Sequence, residues 1–127
     1  MEKLYNDYKE KAQFFLVYVR EAHPVENARR NKGADPNRGG PQVAAAKTVE
    51  DRVIAATNCV RELKLSIPVL IDDMQGSTEK TYRGWPARLV IVDVNGNVSY
   101  CTPSSPGGAN PKEAIPALQR IVGNGEK

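Results

Sequence analysis

Cysteine and histidine are scarce in this 127-residue chain: Cys59 and Cys101 are the only thiols and His23 the only imidazole. The two cysteines form no CxxC pair, and the three soft ligands stand too far apart in sequence to suggest a zinc site, so no resident metal is expected. Long apolar runs are absent too. The longest are Phe14–Val19 and Leu89–Val92, far short of the roughly 20 residues needed to span a bilayer. The opening residues Met1-Glu2-Lys3-Leu4-Tyr5-Asn6-Asp7 are charged and helical in character, unlike a secretory leader. With so little cysteine, the expected location is a reducing cytoplasm, with no membrane partner. A large charge of one sign is also missing. The net charge is +3 and most basic residues are scattered. The one cluster, Arg29-Arg30-Asn31-Lys32 with Arg38, lies in a Gly/Pro-rich stretch and reads as a solvated loop, so no nucleic-acid partner is expected.

What is present suits one soluble domain over residues 1–127: 40% hydrophobic and 26% charged. Residues 2–12 place Leu4, Tyr8 and Ala12 on one helical face. Residues 14–20 are a near-continuous apolar run of aromatic and β-branched types, which predicts a buried strand. From about 25 to 47, Gly33, Pro36, Gly39, Gly40 and Pro41 exclude a long helix and predict a long loop. Thr48, with Asp51 three residues on, predicts a capped helix whose apolar face is Val49, Val53, Ala56, Val60 and Leu63.

Strands follow at 66–71 and 88–93, separated by a short helix from Ser77 to Arg83 that Gly84 stops. Asn95-Gly96 predicts a type I′ hairpin into a strand at 97–101. A last helix starts around Asn110, Pro111 and Glu113, presents Ala114, Leu118, Ile121 and Val122, and is kinked by Pro116. The order α-β-α-β-α-β-β-α, with helical crossovers and one hairpin, predicts an α/β class with a mixed sheet and helices on both faces.

The stretch Phe15-Leu16-Val17-Tyr18-Val19-Arg20-Glu21-Ala22-His23-Pro24 is similar to a motif of the iodothyronine deiodinase family and its bacterial redoxin relatives. Glu50-Asp51-Arg52-Val53 and Tyr82-Arg83-Gly84-Trp85-Pro86-Ala87-Arg88-Leu89 resemble the same family at matching positions, over residues 1 to about 122. The resemblance implies a thioredoxin-like fold and thiol- or selenol-dependent reductive chemistry on a small-molecule or thiol substrate. It implies no bound cofactor beyond a thiol reductant. In that family a first core strand and the reactive selenocysteine or cysteine precede the helix matching residues 2–12. The chain is therefore expected to be N-terminally incomplete, with the nucleophile absent and a strand edge exposed to self-association. The alternative is a non-catalytic or truncated thioredoxin-like binding module.

By the same resemblance, Glu21 and His23 are catalytic candidates, the imidazole delivering a proton while the carboxylate sets its tautomer. Their position just past a strand's carboxyl end is where open α/β sheets bind ligands; without the resemblance, His23 reads as a strand-end residue facing water. Tyr18 is implied as a substrate-binding residue, or else a core aromatic with its hydroxyl at the rim. Arg88 enters an apolar strand and calls for a partner among Glu79, Asp72 and Glu21; the resemblance implies substrate binding instead. Ala87, not Pro86, falls at the position of the thioredoxin cis-proline. Cys59 reads as a buried inert thiol, and Cys101 as a strand-end thiol that could be exposed.

Overall fold

The computed structural model describes residues 1–21, 24, 43–103 and 109–124. His23, the basic cluster and most of the predicted 25–47 loop lie outside the described residues. The elements run α1 (Glu2–Tyr8), β1 (Leu16–Tyr18), α2 (Val49–Glu62), β2 (Val69–Ile71), α3 (Ser77–Tyr82), β3 (Val90–Val92), β4 (Val98–Cys101) and α4 (Pro111–Asn124). This is the predicted order, with each strand shorter than its apolar run.

The four strands form two separate ribbons. β1 pairs in parallel with β2, Val17 opposite Leu70. β3 pairs antiparallel with β4, Ile91 opposite Tyr100, with an irregularity between Ile91 and Val92. No ladder joins the two ribbons among the described residues. α2 packs on β2, and α4 on β3 and β4. The buried apolar side chains are Leu4, Ala56, Ile67, Ala114, Ala117 and Leu118.

Local chemistry explains the helix ends. Thr48 Oγ1 accepts from the Asp51 amide at 3.1 Å while Asp51 Oδ2 accepts from the Thr48 amide at 3.1 Å, a complete capping box. Asn110 opens α4, its Oδ1 accepting from the Lys112 amide at 3.1 Å. α4 continues past Pro116, which lies inside it, to Asn124. Glu2 on α1 reaches the segment before β2, accepting from the Ser66 amide at 3.0 Å.

Three expectations are corrected. The α2 stripe is covered only in part: Ala56 is buried and Val60 half-buried, but Val49, Val53 and Leu63 are exposed. Beside the stripe, Arg52 is buried and its guanidinium reaches the end of β2. α3 is stopped one residue before Gly84, by Arg83 in the left-handed conformation (φ 49). The Gly84 amide donates to the Glu79 carbonyl and the Arg83 amide to that of Lys80, a Schellman closure. The hairpin is not type I′, because Asn95 has no positive φ. The Gly96 amide closes onto the Asp93 carbonyl, and only Gly96 is left-handed (φ 84). The loop is Val94-Asn95-Gly96, a turn followed by a bulge. Asp93 Oδ1 draws the chain into it by accepting from the Asn95 and Asn97 amides at 2.9 and 3.0 Å.

Candidate functional site

Tyr18 ends β1, and its hydroxyl donates to Glu21 Oε2 at 3.1 Å. A parallel strand that stops after Tyr18 delivers both side chains to its carboxyl end, where the backbone leaves the ladder. Burial first, and then the charge and hydrogen bond of Glu21, push the Tyr18 phenol up to about 12. At neutral pH it is therefore a protonated donor oriented by a carboxylate.

α2 brings Cys59 to the same region. Burial, followed by the Glu21 charge, pushes this thiol up from its ordinary range. Sequence periodicity read Cys59 as buried, whereas it is half-buried, and its proximity to Glu21 was not legible because a crossover separates the two. The thiol form is favoured there, so the arrangement suits hydrogen bonding to a ligand better than nucleophilic attack by Cys59.

Arg52 and Asp72 were missed as organisers of this end of the sheet. Arg52 is buried, and its Nη1 donates to the backbone carbonyls of Asp72 (2.9 Å) and Asp73, tying α2 to the turn after β2. Asp72 is buried as well. Its carboxylate accepts from the amides of Asp73, Thr78 and Glu79 at 2.9–3.0 Å, satisfying the start of α3. Burial opposes its ionisation, but the amide donors of Glu79 and Thr78 outweigh burial and lower its pKa. Asp72-Asp73 a few residues before a helix was a legible capping signal; a buried arginine beside an apolar stripe was not.

Arg88 is half-buried and does not form the expected ion pair. Its Nη1 donates to the Tyr82 carbonyl at 3.3 Å, and no carboxylate lies within ion-pair distance among the described residues. The expected partners are engaged elsewhere: Asp72 on the amides above, and Glu79 through both carboxylate oxygens on Arg20 Nε at 3.1 Å. Arg20 also stacks over the Trp85 ring, 4.6 Å from its centroid. The Trp85–Pro86 bond is cis, so the proline is at 86 where alignment by spacing had put alanine at the cis position. Cys101 is exposed at the end of β4. His23 lies outside the described residues. Among the described residues no group of three His, Cys, Asp or Glu side chains is placed to hold a metal ion, and no helix is long and apolar enough to cross a membrane.

A mixed α/β domain with a tyrosine–carboxylate pair at the end of a parallel strand defines the class. The family follows from comparison: a family model described as iodothyronine deiodinase matches residues 1–122. The chain belongs to that family. It is similar to the type I iodothyronine deiodinase of Xenopus laevis, 28% identical over 119 residues, which cover 93% of this chain. The chain spans 43% of the length of that relative.

Proposed function

We propose that this chain is the substrate-binding part of a deiodinase-like oxidoreductase of thioredoxin-like architecture, working by thiol- or selenol-dependent reduction in a reducing cytoplasm. The observation that carries the reading is the Tyr18–Glu21 hydrogen bond at the carboxyl end of β1, inside the segment matched to the family. Tyr18 donates to the substrate or orients Glu21, Glu21 and His23 handle the proton, and Arg88 binds an electron-rich substrate group. A small thiol supplies the reducing equivalents and no other cofactor is used. By the family resemblance the attacking sulfur or selenium lies outside this sequence, and burial together with the Glu21 charge raises the Cys59 thiol and disfavours its thiolate.

A second reading, a thioredoxin-like binding module without catalysis, is favoured by that same protonated Cys59. Two measurements test the proposal. With dithiothreitol, the chain should reduce insulin no faster than a Cys59→Ser/Cys101→Ser variant; turnover that vanishes on Cys101→Ser alone would place the nucleophile within this sequence and overturn the assignment. In calorimetric titration with an iodinated phenol, Tyr18→Phe and Glu21→Gln should each weaken binding by roughly 3- to 10-fold, the worth of one hydrogen bond. Affinity unchanged in both would remove Tyr18 and Glu21 from the site.

A further inference from the structure

A buried charge stands beside the candidate site with no opposite charge in contact. Arg52 is 5% exposed, and among the described residues no carboxylate lies within ion-pair distance of it. Its Nη1 donates to two backbone carbonyls, those of Asp72 and Asp73, while Nε is buried without a hydrogen-bond partner. A guanidinium buried in this way is costly. Tying a helix to a turn does not by itself call for a full charge, because a neutral donor would serve the same carbonyls.

The position of Arg52 shows what the charge acts on. Arg52, Ala56 and Cys59 stand at i, i+4 and i+7, on one covered side of α2. The Asp72 carbonyl that Arg52 holds belongs to the residue whose amide donates to the Tyr18 carbonyl at 3.0 Å. Tyr18 itself lies opposite Ile71, the residue before Asp72. The guanidinium therefore sits at the carboxyl end of the strand next to β1, and neighbouring strands are only about 4.8 Å apart.

Three groups act on the Tyr18 phenol: Glu21 from the end of its own strand, and Cys59 and Arg52 from α2. Asp72, at the end of β2, turns its carboxylate to the amides of Thr78 and Glu79 instead. Burial, Glu21 and Cys59 raise the phenol, and Arg52 acts in the opposite direction.

We propose that Arg52 is a positioning residue for Tyr18, locking the adjoining ends of β1 and β2 and setting its charge against that of Glu21, so that the phenol keeps a proton it can share with a substrate. The proposal rests on the reading of Tyr18 and Glu21 as a binding pair and deepens it. A nearby cation favours the phenolate, and a donor closer to ionisation makes the stronger hydrogen bond. Arg52 acts through Tyr18 and touches no substrate itself.

A tetrafluorinated tyrosine placed at position 18 of the full chain titrates near neutral pH, and its fluorine NMR signal follows the proton. Arg52→Gln keeps a donor and drops the charge, and should lower the acid constant of this phenol at least about threefold. Arg52→Lys keeps the charge, and should leave the constant within about twofold of that in the unaltered chain. A fall smaller than about threefold in an Arg52→Gln chain that circular dichroism shows to be folded overturns the proposal. So does an equal fall in Arg52→Lys, because the fork to the carbonyls would then matter and the charge would not. That second variant decides the question even where Arg52→Gln fails to fold. The titration uses no substrate, so its result is separate from that of iodinated-phenol binding, on which the reading of the pair stands or falls.

Discussion

Tyr18 couples the candidate site to stability. Its phenol is pushed up to about 12 by burial and by Glu21, from an ordinary value of 10.0. The folded state then holds this proton more tightly than the unfolded chain. Its contribution is complete below pH 10 and is lost as the pH rises towards 12. Allowing for partial exposure, the loss is on the order of 1–2 kcal/mol. Alkaline unfolding monitored by circular dichroism should show this limb in the native chain and lose it in Tyr18→Phe; an identical limb in both would dissociate the phenol from the fold.

Asp72 acts with the opposite sign. Its lowered pKa makes its contribution complete above the ordinary carboxylate value of 3.8 and lost as the pH falls below it. Asp72→Asn keeps the shape but presents an amide group to donors that need an acceptor, and should cost roughly 1–3 kcal/mol in urea unfolding at pH 7. A cost near zero would mean that water serves those amides equally well.

The elements are bounded by short-range chemistry, and there the sequence was informative. Thr48 with Asp51, and Asn110 before Pro111, were both readable as helix starts because a capping side chain reaches only its own first turn. Thr48→Ala should therefore lower stability by about 1 kcal/mol, measured by denaturant midpoint at unchanged slope. A larger effect would mean that the 43–47 segment moves with the cap.

Element interiors were less legible. The whole stripe on α2 was read as its apolar face, whereas only Ala56 of it is buried and Arg52 beside it reaches the end of β2. Asn-Gly was read as a two-residue turn, but the Asp93 carboxylate recruits one more residue into the loop. Both corrections depend on where one polar side chain points, which periodicity does not encode.

The assembled molecule leaves much apolar surface uncovered. Phe15, Leu70, Val92 and Val98 are 46–56% exposed, on or beside the strands. In β1, Leu16 and Tyr18 turn their backbone groups towards β2, leaving those of Val17 to face the other edge. An apolar strand edge of this kind invites pairing with another chain. The isolated chain is accordingly expected to self-associate, with a size-exclusion elution volume that falls as concentration rises from micromolar to millimolar levels and a thermal midpoint that climbs with it. A concentration-independent monomer with a fixed midpoint would show that these edges are covered in solution.

Order, class and family were settled by the chain alone. Apolar runs, caps and turn residues act over a few positions, and the Phe15-to-Pro24 stretch carried the family resemblance without any fold. Tertiary structure decided what lies beside what: Cys59 near Glu21, and Arg52 on the carbonyls after β2. These neighbours come from different elements brought together by crossovers. Their proximity depends on how helices rotate against narrow ribbons, a choice made by the packing of the whole chain.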